Sequence, residues 1–514
     1  MRGRQTCRSQ RISRGGTGPA VSESNPAAPH SDPAAPHSDP ESPAEPADRT
    51  ADLGEGSVSV ASGTVVELEK HPVDVVPPPF QLIAGGLQHI AAMVAGVVAP
   101  PLIVGAAVGL STGETVMLIT ASLFTAGLAT LLQSLGWWKF GARLPLINGG
   151  SFAAVGPILA IAKDAPGRAL PIIFGATLVA GAMAVFAAPY FSRLHRFFPP
   201  IVGGTVISLI GLSLLPVALG WISGAGEGAM GEAHVPLKNL ADAAFALVVV
   251  LLCHRFLKGF GRQLALLIGL IAGSLLGWPL GLLDTGPVRG SALIGFIPPW
   301  HFGAPQFEIG AIVSLCIVML VVMTESTATM IALGEIVDRP AEEQHIAGGL
   351  RAAGVGTMLA SVMGGFACGA FAQNVGLVAL TRMYSRFVVA VSGGLLVLLG
   401  LFPVASAVVE LVPKPALGGT GLVLFGTVAA SGIRTLAKAD LTDPINSLIV
   451  GVSLFIGMTP TVAPSFYAGL PGPFSIILAS GISAGCLTAL VLNQLFKSRV
   501  SNALATGTPA AQGS

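Results

Sequence analysis

One carboxylate lies in the middle of a long apolar segment of this sequence. Glu325 follows the run Val321–Thr324 and precedes Ser326 and Thr327. An ionised carboxylate at the depth of a bilayer costs several kcal/mol, so such a residue normally faces a cavity and acts on an ion or a substrate. Glu325 can also take up a proton at modest cost, which suits a proton-coupled carrier.

Two adjacent carboxamides, Gln373 and Asn374, lie in a short, Gly-rich apolar segment. Each offers two N–H donors and a carbonyl acceptor, which complement the edge of a heterocycle that carries C=O and N–H groups. Such residues also join helices within membranes, at roughly 1 kcal/mol each. Because the glycines predict a break in this helix, we favour contact with a ligand. Phe152 and Phe371 could stack on a flat ring or simply pack.

A glutamine and a histidine lie side by side in the first long apolar segment, at Gln88 and His89. A lone histidine in a helix is more often a core residue with satisfied hydrogen bonds than a functional group. The neighbouring Gln88 and the rarity of ionisable residues in this region make a functional role for His89 almost as well supported as a purely structural one. His89 is therefore a candidate for a supporting role in proton coupling.

The composition is that of a membrane protein. The chain has 514 residues, of which 52% are hydrophobic and 10% are charged, and its mean hydropathy is +0.75. A soluble protein of this length would need far more charge to cover its surface. The 66 glycines suit close helix packing in a bilayer. The formal net charge of +1 argues against binding to nucleic acid.

Enzymatic chemistry finds little support in the sequence. It contains no metal-ligand cluster, phosphate-binding loop or nucleophile elbow. The five cysteines are not paired at short spacing and predict no disulfide framework. We therefore predict no cofactor, and a membrane enzyme is the weakest alternative.

The chain has two polar ends and an apolar middle. Residues 1–76 are rich in Pro, Ala, Ser and Asp and repeat residues 26–32 as 33–39, so we predict a disordered cytoplasmic tail, with a second one at 499–514. An apolar helix needs ~20 residues to cross a bilayer. The middle predicts fourteen spans, of which the third and tenth are short and broken by glycine. They are 81–107, 113–135, 144–162, 169–190, 200–221, 240–257, 263–283, 309–334, 346–367, 370–383, 385–402, 404–430, 443–461 and 473–496.

The charges of the loops agree with this count. Fifteen Lys and Arg residues fall on the side of the membrane that carries the tails, and five fall on the other side. Because cytoplasmic loops carry the excess of Lys and Arg, both termini are predicted to be cytoplasmic. If the count were wrong by one span, the excess of Lys and Arg would be lost in the loops that follow the error.

Two short similarities recur at nearly the same distance along the chain. Pro200–Thr205 resembles Pro415–Thr420, 215 residues later, and Gly150–Ala153 resembles Gly369–Ala372, 219 residues later. They predict two halves of seven spans each, and because seven is odd the halves would be inverted, as in many secondary transporters. The predicted fold is therefore an all-α polytopic membrane protein of fourteen transmembrane segments in two inverted repeats.

The two Gly-broken segments, Asn148–Phe152 in span 3 and Cys368–Gly376 in span 10, occupy matching positions of the two halves. Non-helical backbone at membrane depth is tolerated only where it is buried in protein or lines a cavity. Paired interruptions of this kind point to the binding site of a transporter. We predict a short extended stretch followed by a half-helix in each segment.

The sequence Gln373–Arg382 (QNVGLVALTR) resembles the signature motif of the nucleobase–ascorbate transporters. Gln88-His89, Gly149–Phe152 and Glu325–Ala328 resemble the first, third and eighth spans of that family. The similarity covers residues 78–498. It implies a core domain of spans 1–4 and 8–11 and a gate domain of spans 5–7 and 12–14, through which members usually dimerise. The core would comprise residues 77–190 and 306–403, and the gate 191–305 and 404–498.

The resemblance also implies a substrate held between spans 3, 8 and 10. The residues implied for substrate binding are Glu325, Gln373, Ser151, Phe152, Phe371 and Ala372, and those implied for support or proton coupling are His89, Gln88, Asn374 and Thr329. In this family Gln at the first motif position goes with xanthine and urate, Glu with uracil and Pro with ascorbate. Ser151, where some xanthine carriers have Asn, favours urate. Many relatives carry Asp at the position of Thr329, so Glu325 would serve proton coupling more nearly alone.

We therefore expect a transporter of the cell membrane that imports urate or xanthine by proton symport with alternating access. Sodium is the alternative coupling ion. Uracil or another nucleobase is one alternative cargo, and an anion carrier or channel of the same architecture is a second alternative. The Gln-Asn pair and the acidic residue in span 8 suit neutral purines better than sulfate.

Overall fold

The computed structural model describes residues 71–194, 199–224, 235–283, 292–467 and 469–505, together with Gly286 and Val288. Within these ranges the protein consists of helices, two short strands, and the loops and turns that connect them. The tandem repeat at 26–39 and most of both predicted tails lie outside the described residues.

The order of helices and strands follows the apolar runs. The first part of the chain contains α1 (Pro79–Ala107), α2 (Thr112–Leu135), β1 (Asn148–Gly150), α3 (Val155–Asp164), α4 (Ala169–Leu194), α5 (Pro200–Ser213), α6 (Leu215–Ser223), α7 (Leu237–Phe256), α8 (Phe260–Gln263) and α9 (Ala265–Gly277). The second part contains α10 (Ile309–Ile336), α11 (Glu343–Met363), β2 (Cys368–Ala370), α12 (Gln373–Thr381), α13 (Arg386–Leu399), α14 (Pro403–Glu410), α15 (Lys414–Leu436), α16 (Pro444–Val462), α17 (Gly472–Ala479) and α18 (Gly481–Ala505).

Many of these helices are long enough for a bilayer. In the described part of the chain nine helical stretches are long and apolar enough to cross it, with α5 and α6 counted as one, and α13 with α14, bent by 87° at their junction, would make a tenth. The protein is thus a multi-pass membrane protein. The number fourteen and the inverted relation of the halves stay predictions. α3 and α12 have 10 and 9 residues, and both lie in the segments predicted to be short.

Two predicted boundaries are wrong. The twelfth span, predicted at 404–430, begins only at Lys414, because α14 is a separate helix. Pro403 and Pro415 lie in the first turns of α14 and α15, where a missing backbone N–H is tolerated, so each proline starts a new helix. At the other end of the chain α18 continues to Ala505, inside the predicted C-terminal tail.

The long helices pack in two groups. In the core group α4 packs against α10 and α11, and α2 packs against α1, α11 and α13. In the gate group α15 packs against α5, α6, α7 and α9, and α16 packs against α18. Glycine permits close approach of the helices, since a Cβ at Gly432 of α15 would lie 2.2 Å from the amide nitrogen of Ser208 of α5. The groups are named after the predicted domains that contain them, and movement of one past the other stays a prediction.

Residues 71–76, the end of the predicted disordered tail, are ordered against the core group. Val73 is fully buried. The carboxylate of Asp74 forms two ion pairs, each of 2.8 Å, with Arg339 at the end of α10 and with Arg386 at the start of α13. The prediction of disorder is wrong for these residues. The burial of Val73 and the ion pairs of Asp74 hold the segment in place, and two residues are too few to alter the composition of the tail.

We expect Asp74→Asn to lower the free energy of unfolding by about 1–2 kcal/mol, because it removes the charge that two partly buried guanidinium groups share. The melting temperature of the detergent-solubilised protein would report the loss, and high salt should shrink the difference. Asp164→Asn is the matched control, since Asp164 is exposed and forms no ion pair among the described residues. Equal melting temperatures for the two variants would contradict this expectation.

Candidate substrate-binding site

Two extended stretches meet at the centre of the core group. Asn148–Gly150 of β1 pairs antiparallel and residue by residue with Cys368–Ala370 of β2. Both strands lie in the Gly-broken segments that the sequence predicts to be extended. The amide of Phe371 continues the ladder by donating to the carbonyl of Ile147 at 3.0 Å. The strands thus satisfy each other's backbone groups, as non-helical backbone at membrane depth requires.

Buried hydroxyls from three surrounding helices hold these strands in place. Thr130 of α2 exchanges two hydrogen bonds with the backbone of Asn148, at 3.0 and 3.1 Å. Thr357 of α11 and Ser326 of α10 accept hydrogen bonds from amides of β2, at 2.9 and 3.1 Å. Because each hydroxyl pairs with a backbone group that would otherwise lack a partner, the strands are fixed relative to α2, α10 and α11.

Each strand leads into a short helix, and a phenylalanine lies at each junction. Phe152 begins the turn that precedes α3, and Phe371 lies between β2 and α12. The ring of Phe371 is buried directly over Gly149, where an added Cβ would lie 2.7 Å from the ring carbon Cζ. Gly149 therefore makes the space that this ring occupies.

A cavity of about 30 Å³ lies beside the strands. Five of the six residues implied for substrate binding line it, namely Ser151, Phe152, Glu325, Phe371 and Gln373. The carboxylate of Glu325 and the carboxamide of Gln373 thus border the same space, together with two phenyl rings. Such a set offers hydrogen-bond acceptors, donors and flat apolar faces to one small planar molecule.

The gate group forms the opposite wall of this cavity. Ile210 of α5 and Val428 of α15 line it. Phe152 packs edge-to-face against Phe425 of α15, with the ring centroids 5.8 Å apart. The polar side chains of the cavity therefore come from the core group, and the gate group contributes apolar ones.

A buried histidine is tied to the motif that begins α12. Nδ1 of His89 lies 2.9 Å from Oδ1 of Asn374. The Nδ2 group of Asn374 donates to the carbonyl of Pro145 at 2.5 Å, so Oδ1 is the atom that accepts from His89. Nδ1 of His89 therefore carries a proton, and Nε2 is the nitrogen that can gain or lose one. Within the described residues Nε2 has no hydrogen-bond partner.

Five predicted residues, His89 among them, do not line the cavity. Ala372 is exposed just before α12, and Gln88 is half-buried on α1. The hydroxyl of Thr329 donates to the backbone carbonyl of Glu325 at 2.8 Å, so it does not bond the carboxylate. Asn374 uses both of its polar groups in the bonds to His89 and Pro145, which leaves Gln373 as the carboxamide that faces the cavity.

Sequence reasoning missed the apolar wall. Ile210 and Val428 look like ordinary residues of apolar helices, and nothing in their type marks them. The internal repeat could have pointed to them, because Pro200–Thr205 and Pro415–Thr420 lie in the N-terminal parts of α5 and α15. No group of three or more His, Cys, Asp or Glu residues in the described part of the chain could hold a metal ion.

Comparison with known proteins places this chain in a family. Residues 80–466 match the model described as Permease family. The uric acid permease PucK of Bacillus subtilis is 40% identical over 424 residues, which cover 82% of this chain and 97% of that protein. The uric acid transporter UacT of Escherichia coli is 41% identical, with 82% and 88% covered. The xanthine permease of Bacillus subtilis is 36% identical, with 80% and 92% covered.

Solved structures resemble the fold at low sequence identity. The transmembrane domain of the cyanobacterial bicarbonate transporter BicA has a TM-score of 0.53 at 14% identity, with 81% of this chain and 98% of that chain covered. SLC26A9 has a TM-score of 0.56 at 13% identity, with 81% and 65% covered. These likenesses concern the fold alone, whereas the sequence matches decide the family. The chain belongs to the nucleobase–ascorbate transporter family of permeases and is a membrane transport protein, not an enzyme.

Proposed function

We propose that this protein imports an oxidised purine, urate or xanthine, together with protons across the cell membrane. The observation that carries the proposal is the cavity that Glu325 and Gln373 share, with Phe152 and Phe371 beside them. An oxidised purine is a flat molecule whose edge alternates C=O and N–H groups. A carboxylate and a carboxamide complement that edge, and the phenyl rings suit its faces.

The relatives support a purine as the cargo. Two of them are named as carriers of uric acid and one as a carrier of xanthine, at 36–41% identity over most of the chain. The bicarbonate transporter matches at only 14% identity, so its cargo says nothing about this site. Gln373 at the first position of the motif also favours urate and xanthine over uracil, through the resemblance described above.

Hydrogen bonds would divide between the two side chains. The carboxylate of Glu325 can accept from ring N–H groups, and the carboxamide of Gln373 can donate to a ring C=O and accept from a neighbouring N–H. Ser151, which lines the same cavity, adds a small hydroxyl. His89 would act through Asn374, since that hydrogen bond connects the histidine to the start of α12.

Entry of a purine requires movement. A water molecule needs roughly 10–15 Å³ of such cavity volume, so a cavity of about 30 Å³ suits about two waters and not a bicyclic ring. Separation of α5 and α15 from the core group would enlarge the space, because these helices supply its apolar wall. This supports alternating access, in which the core moves past a gate through which two copies associate.

Proton coupling is assigned to Glu325 and His89. A proton on Glu325 removes the charge that makes a carboxylate costly in a bilayer, so the loaded carrier would move more easily than the empty, ionised one. Nε2 of His89 is a second position at which a proton can bind. Replacement of sodium by an inert cation in the uptake assay distinguishes protons from the alternative coupling ion.

Cells that express this chain should accumulate labelled urate and xanthine, and a protonophore should abolish the accumulation. Mutual competition by the unlabelled purines would show a common site, and the ratio of the two uptake rates would give the preference. Absence of both uptakes, for protein shown to reach the membrane, would contradict a purine cargo. Uracil uptake and bicarbonate or sulfate flux would then be measured.

Glu325→Gln should abolish accumulation while the protein still folds and inserts, because the amide retains the shape of the carboxylate but cannot bind a transferable proton. Radiolabelled uptake with surface quantification measures both properties. Glu335→Gln is the matched control, since Glu335 lies on the same helix and is exposed. Full proton-driven uptake by Glu325→Gln would refute this role of Glu325.

Asn374→Ala should lower uptake and cost about 1–3 kcal/mol of stability, because it leaves the Pro145 carbonyl and the Nδ1 proton of His89 buried and unpaired. If His89 acts through Asn374, His89→Ala should have a smaller effect in the Asn374→Ala background than in the wild type. Asn446→Ala is the control, since it removes an exposed bond of 2.8 Å to the Asp440 carbonyl. Additive effects of His89→Ala and Asn374→Ala on uptake would exclude the coupling.

A further inference from the structure

A second, much larger cavity separates the two helix groups. It has a volume of about 440 Å³ and lies between α1 of the core group and α9 and α15 of the gate group. Two hydroxyls line it, and each donates to a carbonyl of its own helix, Ser274 to Leu270 at 2.8 Å and Thr420 to Ala416 at 2.9 Å. The remaining lining is almost entirely aliphatic and aromatic, so the cavity suits a hydrocarbon rather than a polar solute.

This cavity opens sideways onto the apolar surface of the helices. Ile271, Leu275 and Trp278 line it and are 52%, 65% and 73% exposed, and Val408 of α14 is 53% exposed. In a multi-pass membrane protein, apolar residues that are exposed on apolar helices such as α9 face lipid or another protein. An acyl chain of the bilayer can therefore enter from the side without passing through water.

One end of the cavity has the character of a membrane interface. There it adjoins a smaller cavity of about 100 Å³, and Trp221 lines both. The smaller cavity is bordered by Lys414 at the start of α15 and by Glu410 at the end of α14, close to where α1 ends and α2 begins. Basic residues are typical of the level of the lipid head groups, and Lys414 is exposed. A cation and a carboxylate thus lie where the head group of an inserted lipid would be.

We propose that the two cavities together bind one phosphatidylethanolamine molecule of the bilayer. An acyl chain would fill the apolar cavity, the phosphate would meet the ammonium of Lys414, and the primary ammonium of the head group would meet the carboxylate of Glu410. A choline head group has no N–H to donate, and a glycerol head group has no cation to offer. The charge pattern therefore selects the ethanolamine head group over both.

The inner end of the acyl chain would lie beside the substrate-binding site. Ala95, Leu266 and Leu424 line both the apolar cavity and a space of about 30 Å³ that also touches Phe371 and Gln373. If the core group moves past the gate group, as in the proposed function, this lipid site must change shape during transport. That consequence depends on the proposed function, whereas binding of the lipid itself does not.

Photolabelling locates the lipid without any assay of transport. The full chain would be placed in nanodiscs that contain phosphatidylethanolamine with a diazirine on the acyl chain, irradiated, digested and mapped by mass spectrometry. We expect adducts to concentrate on cavity residues of α9 and α15 over the exposed Leu251 of α7 and Phe455 of α16. Adducts spread equally over all these helices would overturn the proposal. Cross-links that show a second copy of the chain bound over the apolar cavity would also overturn it.

Variants test the two parts of the site separately. Leu270→Trp, which fills the cavity, should remove the adducts, whereas Leu251→Trp on the exposed face of α7 should not. Lys414→Gln should lower the retention of phosphatidylethanolamine about fivefold, the contribution of one basic residue near a lipid phosphate, and Lys238→Gln, exposed and outside the cavity, should leave it unchanged. Equal retention of choline, glycerol and ethanolamine lipids by the wild-type protein would overturn the head-group assignment.

Discussion

Backbone amides and carbonyls at the depth of a bilayer find no water to bond, and the two short strands of this protein pack among helices that are long and apolar enough to cross one. Each strand is the partner of the other, and hydroxyls of α2, α10 and α11 complete the set of hydrogen bonds. Three helices are thereby joined at one point. The positions of α3 and α12 follow, since each begins directly after a strand, and with them the positions of Phe152, Phe371 and Gln373.

The same constraint explains why the two carboxamides of the motif, Gln373 and Asn374, lie in different environments. Pro145 has a carbonyl near β1 that needs a donor, and the side chain of Asn374 supplies it. That bond fixes the orientation of Asn374 and hence of His89. Gln373, one residue earlier on a helix, points about 100° away around the axis and borders the cavity. Adjacent residues of the same chemical type thus have different surroundings, since Asn374 is held by two buried hydrogen bonds and Gln373 faces the cavity.

The sequence could predict the features that depend on rare residues in apolar surroundings. Glu325, Gln373 and His89 stand out because polar groups are costly in a bilayer, and the Gly-broken segments stand out because glycine interrupts helices. The apolar wall could not be found in this way, since Ile210 and Val428 resemble their neighbours. The ion pairs of Asp74 were missed because they join residues more than 260 positions apart, which no local pattern records.

The distribution of polar groups over the two helix groups affects how easily one group could slide past the other. Hydrogen bonds are directional, and breaking one that is buried costs about 1–3 kcal/mol, whereas apolar contacts are non-directional and tolerate sliding. Glu325, Gln373 and Ser151 all belong to the core group, and the gate group presents Ile210, Val428 and Phe425. A purine held by the core could therefore travel with it past the gate without exchanging hydrogen bonds on the way. A polar gate would hold the substrate at every step, so an apolar wall suits the proposed movement of the loaded site.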